Sequence, residues 1–168
     1  GTLVPGAKFD VRNSANTVVA QLTTNAQGEA TTPNLPLGTY TVTETFVPSP
    51  YILDTTPKTV TISYVNQTTP VVTVETTFTN APALGVIKIR KIDSINANPI
   101  KGAVFEVRNA ENTVVDTLTT DDNGRATTIQ LPLGNYTVKE TTPAIGYNPN
   151  DMTYPVTLAY KDMETPVV

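Results

Sequence analysis

The 168-residue chain contains no cysteine and no histidine. Without thiols there is no disulfide framework, no thiol nucleophile and no zinc-thiolate site. Without imidazole the commonest general base and metal ligand is also missing. Most familiar catalytic machinery is thereby excluded, and neither a cofactor nor a metal is expected. Charge is sparse as well: 15% of residues are charged, with a net charge of -4 and a sequence pI of about 4.7. The eleven basic residues are scattered along the chain, whereas phosphate-backbone recognition needs clustered Lys and Arg, so no nucleic-acid partner is expected. No apolar run approaches the ~20 residues that span a bilayer, and the first residues do not form a signal peptide. The chain reads as an interior segment of a longer, non-membrane protein. The lack of cysteine is compatible with an extracellular bacterial protein.

Convincing amphipathic helices are absent too. What is present is abundant threonine, many prolines and strand-like alternation broken by Gly, Pro and Asn-rich turns, which together read as all-β. The 39% hydrophobic content suits a globular protein rather than a disordered one.

The chain repeats itself. Gly6-Ala7-Lys8-Phe9-Asp10-Val11-Arg12-Asn13 returns as Gly102-Ala103-Val104-Phe105-Glu106-Val107-Arg108-Asn109, an offset of 102 - 6 = 96. The same offset links Leu35-Pro36-Leu37-Gly38 to Leu131-Pro132-Leu133-Gly134, and Tyr40 and Glu44 to Tyr136 and Glu140. The period is too long for a solenoid unit and marks tandem whole domains, residues 1-81 and 82-168. Each copy predicts a strand with Ala7, Phe9 and Val11 (Ala103, Phe105, Val107) inward and a second strand near residues 18-22. A turn at Gly28 or Gly124 follows, then a strand with Tyr40, Val42 and Glu44 (Tyr136, Val138, Glu140) inward. A Pro-rich loop leads to a strand around Val60, Ile62 and Tyr64, or Val156, Leu158 and Tyr160. Short strands spaced by turns in units of this size predict a two-sheet sandwich.

Residues 71-94 form the seam. Alternation places Val72, Val74, Thr76, Phe78 and Asn80 on one face of a strand, and Ile87, Ile89 and Lys91 on one face of the next. The first copy has no counterpart of the strand at 86-92, since Lys91 maps to 91 - 96 = -5, and the second has none of the strand at 73-80, since Asn80 maps to 80 + 96 = 176. Each copy therefore lacks one strand, and a different one.

Lys91, Asn80 and the pair Glu44 and Glu140 thus fall on expected core faces near strand ends. An unpaired charge there costs several kcal/mol, so it must be paired, neutralised or consumed. Burial disfavours the charged form of amines and carboxyls alike, and a neutral amine is a nucleophile. A protonated carboxyl beside an Asn amide could polarise its carbonyl and relay protons while lysine attacks and ammonia leaves. Alternatives stand beside this reading. Lys91 could pack its stem on the sheet and keep its amine in water, Glu44 and Glu140 could be partly exposed carboxylates paired with a lysine, and Asn80 could simply open the Asn-Ala-Pro linker. The repeated inward register of the glutamates counts against the second of these.

The motifs Ile87-Lys88-Ile89-Arg90-Lys91-Ile92-Asp93, Pro99-Ile100-Lys101-Gly102-Ala103-Val104-Phe105-Glu106-Val107 and Thr120-Asp121-Asp122-Asn123-Gly124 occur in one copy. With them comes Leu133-Gly134-Asn135-Tyr136-Thr137-Val138-Lys139-Glu140-Thr141-Thr142-Pro143, reaching to Gly146-Tyr147. Together they resemble the B-type repeats of the Gram-positive collagen adhesin Cna and the related SpaA-like, prealbumin-like pilin domains. The resemblance implies a reverse immunoglobulin-like sandwich carrying a spontaneous isopeptide bond from a first-strand lysine to a last-strand Asn or Asp, assisted by the Glu of a Tyr-x-x-x-Glu motif. By motif position Lys91 matches the lysine, Glu44 and Glu140 the glutamate, and Asn80 the acceptor. The first copy departs from the pattern at Pro50, where the second has Gly146. On this reading the first copy has Glu44 and Asn80 but no lysine, and the second has Lys91 and Glu140 but no acceptor. Asn80 and Lys91, in adjoining domains, are expected to react with partners outside this chain: flanking repeats of the same protein or strand-complementing copies.

The function expected is structural: stalk or spacer repeats of a cell-wall-anchored surface adhesin or pilus-like protein, extracellular, with single-turnover self-cross-linking and no enzymatic activity. The alternative is a host-matrix ligand-binding module of an adhesin, for which the chain offers no exposed aromatic cluster. An accessory domain of a carbohydrate-active enzyme would need a catalytic neighbour, and fold alone does not assign function. The run Asp121-Asp122-Asn123-Gly124 lacks a full calcium loop and reads as a hairpin turn. The triplets at Asn66 and Asn135 fit a glycosylation acceptor but occur often by chance.

Overall fold

A computed structural model describes residues 2-69 and 71-168. The described residues contain twelve β-strands and no helix, as the turn-punctuated alternation predicts. They divide into two compact units, Gly1–Pro82 with Asp162–Glu164, and Ala83–Lys161 with Thr165–Val168.

Unit 1 is built on a four-stranded antiparallel sheet in the order β2-β1-β3-β4, with β1 Lys8–Arg12, β2 Val18–Thr23, β3 Gly38–Phe46 and β4 Lys58–Ile62. Alternate residues bury Phe9 and Val11 on β1 and Tyr40, Val42 and Glu44 on β3, because successive side chains on a strand point to opposite faces. Val4, Leu35 and Phe78 pack onto this core from irregular backbone. Phe78 meets Phe9 in a tilted contact with ring centroids 4.8 Å apart, an arrangement aromatic quadrupoles favour.

Unit 2 repeats that sheet in the order β12-β11-β7-β8. Here β7 is Val104–Arg108, β8 Val114–Thr119, β11 Gly134–Thr142 and β12 Thr153–Leu158. It adds a second layer of two short pairs: β5 Leu84–Gly85 with β10 Leu131–Pro132, and β6 Lys88–Arg90 with β9 Arg125–Thr127. Ile87, Ile100 and Leu131 close the core from this side against Phe105, Val107, Tyr136 and Val138. The final residues lie parallel to β5, Leu84 N donating to Pro166 O and Val86 N to Val168 O at 2.9 and 2.8 Å.

Three expectations for strands need correction. Residues 71-80 form no strand: among the described residues no segment exchanges a backbone ladder with them, and a strand needs such a partner for its N-H and C=O groups. Within the run Val72, Phe78 and Asn80 are half-buried, whereas Val74 and Thr76 are exposed. Of the single strand expected at 86-92 only β6, Lys88–Arg90, forms, with Lys91 just past its end, while β5, Leu84–Gly85, precedes that span and pairs with a different part of the 125-132 segment. Between them Thr128 binds Ile87 from both sides, Ile87 N donating to its Oγ1 and its own N-H donating to Ile87 O, at 2.9 and 3.0 Å. Finally, Tyr64 and Tyr160 lie beyond the ends of β4 and β12 rather than within them.

Candidate functional site: two buried carboxyls in matched settings

β3 and β11 each carry the row Tyr-x-Val-x-Glu on the core face, so the third member of each row is a carboxyl pressed into an apolar interior. Glu44 is 1% and Glu140 6% exposed. Both tyrosines of these rows are anchored through their hydroxyls, Tyr40 to Pro36 O at 2.7 Å and Tyr136 to Pro132 O at 2.6 Å. That fixes the Leu-Pro-Leu-Gly turns and the start of each strand.

In unit 1 the Asn80 amide nitrogen donates to Glu44 Oε2 at 2.7 Å and to Ile52 O at 3.1 Å. The backbone N-H of Asp54 donates to the same Glu44 oxygen at 3.0 Å. Asn80 is held there because its chain is tied to the Pro-rich loop: Ile52 N donates to Ala81 O at 2.8 Å, and Tyr51 forms a bridge with Pro82. Glu44 Oε1 is buried with no hydrogen-bond partner among the described residues.

Unit 2 holds a lysine where unit 1 holds an amide. Lys91 Nζ lies 3.0 Å from Glu140 Oε1 and 3.1 Å from Oε2, with directed hydrogen-bond geometry to Oε2. The Asn150 backbone N-H completes the set, donating to Oε2 at 3.1 Å. The Lys91 side chain is 19% exposed, so its amine is largely withdrawn from water, unlike a surface lysine whose head reaches solvent. Its backbone is clamped on both sides, Lys91 N donating to Gly124 O at 2.7 Å and Ile100 N to Lys91 O at 3.1 Å.

All four residues singled out in the sequence therefore lie at these two sites, Glu44 with Asn80 and Glu140 with Lys91. Sequence reasoning did not find the amides of Asp54 and Asn150. They are equivalent positions, 54 + 96 = 150, but an N-H group carries no side-chain signature. The Pro50 departure leaves this contact unchanged, since the loop still delivers Asp54 N to Glu44. The importance of Gly124 was also hidden. Its φ of +67° suits the turn, and a Cβ there would lie 2.3 Å from Lys91 O, so the glycine permits the close approach that seats Lys91.

The turn at Asp121 uses its own oxygen internally, Asp121 Oδ1 accepting from Asn123 N and Arg125 N at 2.8 Å each. Among the described residues no group of His, Cys, Asp and Glu is arranged to hold a metal ion.

The family described as SpaA: Prealbumin-like fold domain matches residues 1–77 and again residues 85–168. Over 71 residues, 42% of this chain and 13% of the relative, the sequence is 39% identical to the trypsin-resistant surface T6 protein of Streptococcus pyogenes serotype M6. Among solved structures, the Bacillus anthracis TIE protein superposes with a TM-score of 0.72 at 30% identity, over 99% of this chain and 30% of that one. The T6 backbone pilin of serotype M6 Streptococcus pyogenes is 38% identical over 44% of this chain and 16% of its own, with a TM-score of 0.43. The chain thus spans less than a third of the length of each of these relatives. With two matches that cover nearly its whole length, it belongs to the SpaA prealbumin-like fold domain family, as two such domains in tandem.

Proposed function

We propose that the chain is a pair of structural spacer domains of a bacterial surface protein, stalk-like or pilus-like, whose buried Glu44 and Glu140 promote Lys-Asn isopeptide bonds. The observation that carries this reading is the complementarity of the two sites. Unit 2 places an amine on the glutamate, and unit 1 places an amide nitrogen on the equivalent oxygen at 2.7 Å. Superposed in one site, they are the two reactants and the group that serves both. The lysine amine would give up a proton and attack the Asn side-chain carbonyl carbon. The C-N bond to the Asn amide nitrogen would break, and that nitrogen, already bound to the glutamate, would take the proton and leave as ammonia. One amide and one amine thus yield one secondary amide and NH3. The buried charge that makes Lys91 costly is removed in the product.

Asn80 needs a lysine on an extended segment laid against residues 71-80, and Lys91 needs an Asn on a segment laid against β6. Either can come from the same polypeptide or from a neighbouring copy. A bond at this place ties the first strand of a domain to its last, which resists pulling and proteolysis. The name of the trypsin-resistant surface relative accords with such a role, as does its place at the cell surface.

The test is intact mass spectrometry of the full chain mixed with a synthetic peptide of residues 83-94, which carries Lys91. We expect a covalent adduct lighter by ~17 Da than the sum of the two, the mass of the ammonia lost. It should be absent with peptide K91R or chain N80A, and slow with chain E44Q. An adduct that forms equally with N80A, or none from the wild-type pair, would overturn the mechanism.

A further inference from the structure

The eleven basic residues are scattered in sequence, yet the β6-β9 register gathers three of them. Lys88 and Arg90 point outward from β6 and Arg125 outward from β9. Arg90 and Arg125 are direct cross-strand partners, which brings their Cα atoms to about 5 Å and sets like charges side by side, an unfavourable pairing. Among the described residues none of the three forms an ion pair. The acids nearest to them in sequence are otherwise engaged, Asp122 with Lys101 at 2.7 Å, Asp121 with turn amides, and Asp93 with Ile95 N and the Tyr147 hydroxyl.

The framework does not require the pair either. Arg125 maps to 125 - 96 = 29, and unit 1 carries Glu29 at that turn. The same Asx-type turn forms there, Asn25 Oδ1 accepting from Gln27 N and Glu29 N at 2.9 and 3.0 Å. An arginine is thus dispensable for building the turn, and its presence in unit 2 faces a second arginine at a cost.

Two open hollows of about 300 and 370 Å³ adjoin on this face, sharing Arg90 and Arg125. Asn123 and Pro99 complete the first, Lys88 and Thr127 help to line the second, and no carboxylate lines either. Arg90 and Arg125 on adjacent strands and Asn123 in the turn line the first hollow together, so two guanidinium groups and an amide are available there as donors. A planar carboxylate satisfies one fork, whereas a tetrahedral oxyanion presents acceptors to all three.

We propose that this face of unit 2 binds a tetrahedral oxyanion of the phosphate class, held between Arg90 and Arg125 with Asn123 as a further donor and Lys88 as a neighbouring charge. Three cations on one small face of a chain with net charge -4 do not match the long phosphate run of a nucleic-acid strand. They match one phosphate group, free or esterified within a polymer.

Amide-resolved NMR titration of the full chain tests this with inorganic phosphate, a glycerophosphodiester and acetate at equal ionic strength. We expect saturable shifts confined to β6, β9 and Asn123 with phosphate and none there with acetate. A response to the diester assigns the site to a phosphate-linked polymer, and a response to inorganic phosphate alone assigns it to the free ion. Both outcomes uphold the site. R125E, which installs the residue unit 1 uses, should weaken binding by about tenfold or more through charge reversal and should also raise the melting temperature by pairing with Arg90. Shifts that are equal with acetate, that never saturate, or that survive R125E would overturn it.

Discussion

Unit 1 and unit 2 share a four-stranded sheet, a buried glutamate and a loop amide on that glutamate, yet they differ in what stands opposite. Unit 2 has a laddered second layer and an ion pair. Unit 1 has irregular backbone on that side and a neutral amide against its carboxyl. The same residue, in the same register, is therefore in two electrostatic situations, and the difference separates what the glutamate costs from what its partner repairs.

The sharpest way to break this comparison is to neutralise each glutamate. E140Q leaves the Lys91 amine without its counter-charge in a site only 19% exposed, and removing one partner of a buried pair costs about 3-5 kcal/mol. E44Q keeps an acceptor for Asn80 and should cost about 1 kcal/mol or less. Native-state hydrogen exchange, read at β7 for unit 2 and β1 for unit 1, measures both in the full chain. Equal losses in the two units would erase the distinction.

A second contrast uses the paired turns. G124A drives a Cβ to 2.3 Å from Lys91 O, whereas at Gly28 the nearest atom is Val4 N at 3.4 Å. Both glycines have positive φ, +67° and +71°, so both substitutions carry about 1-2 kcal/mol of backbone strain. Only G124A must also move the Lys91 backbone. Denaturant unfolding should show G124A losing at least about 2 kcal/mol more than G28A, in line with overpacking.

Amide exchange should separate the edges without mutation. The N-H groups of residues 84, 86 and 91 are hydrogen-bonded to backbone and should exchange slowly. Those of residues 72-79, which have no ladder, should exchange close to the unprotected rate. Addition of the peptide of residues 83-94 should protect the latter. The last contrast is in acid. The Asp54 carboxyl is held below the usual range by its hydrogen bonds to Thr56, helped by Lys58, and unit 2 has the non-ionising Asn150 at that position. A depressed folded value means a contribution present above about pH 4 and lost as pH falls through the folded pKa. D54N should make the acid limb of unit 1 stability slightly shallower and leave unit 2 unchanged.

Much of this was legible in advance because strand registers obey a period of two. Tyr40, Val42 and Glu44, with their mates at 136, 138 and 140, face the core as their alternation predicts, and the offset of 96 transfers every such assignment between copies. Alternation is a weaker guide at 71-80. Val74 and Thr76 are exposed there, since periodicity describes a strand only once a neighbour supplies its ladder. The tyrosines at 64 and 160 fall outside their strands for a related reason: a strand ends where its pairing ends, and Gly38 and Gly134 are the last partners of Ile62 and Leu158.

The sequence by itself determined the all-β class, the tandem repeat, the inward glutamates and the chemical types of their partners, because these depend on residue identity and local period. Tertiary structure decided which atoms meet: Asn80 nitrogen rather than oxygen on Glu44, the Lys91 amine across both oxygens of Glu140, and the unsigned amides of Asp54 and Asn150. It also gathered Lys88, Arg90 and Arg125 from scattered positions. Contacts of that kind join residues 35 to 49 positions apart, or arise from backbone groups common to every residue, so they exist only once the sheets have set their register.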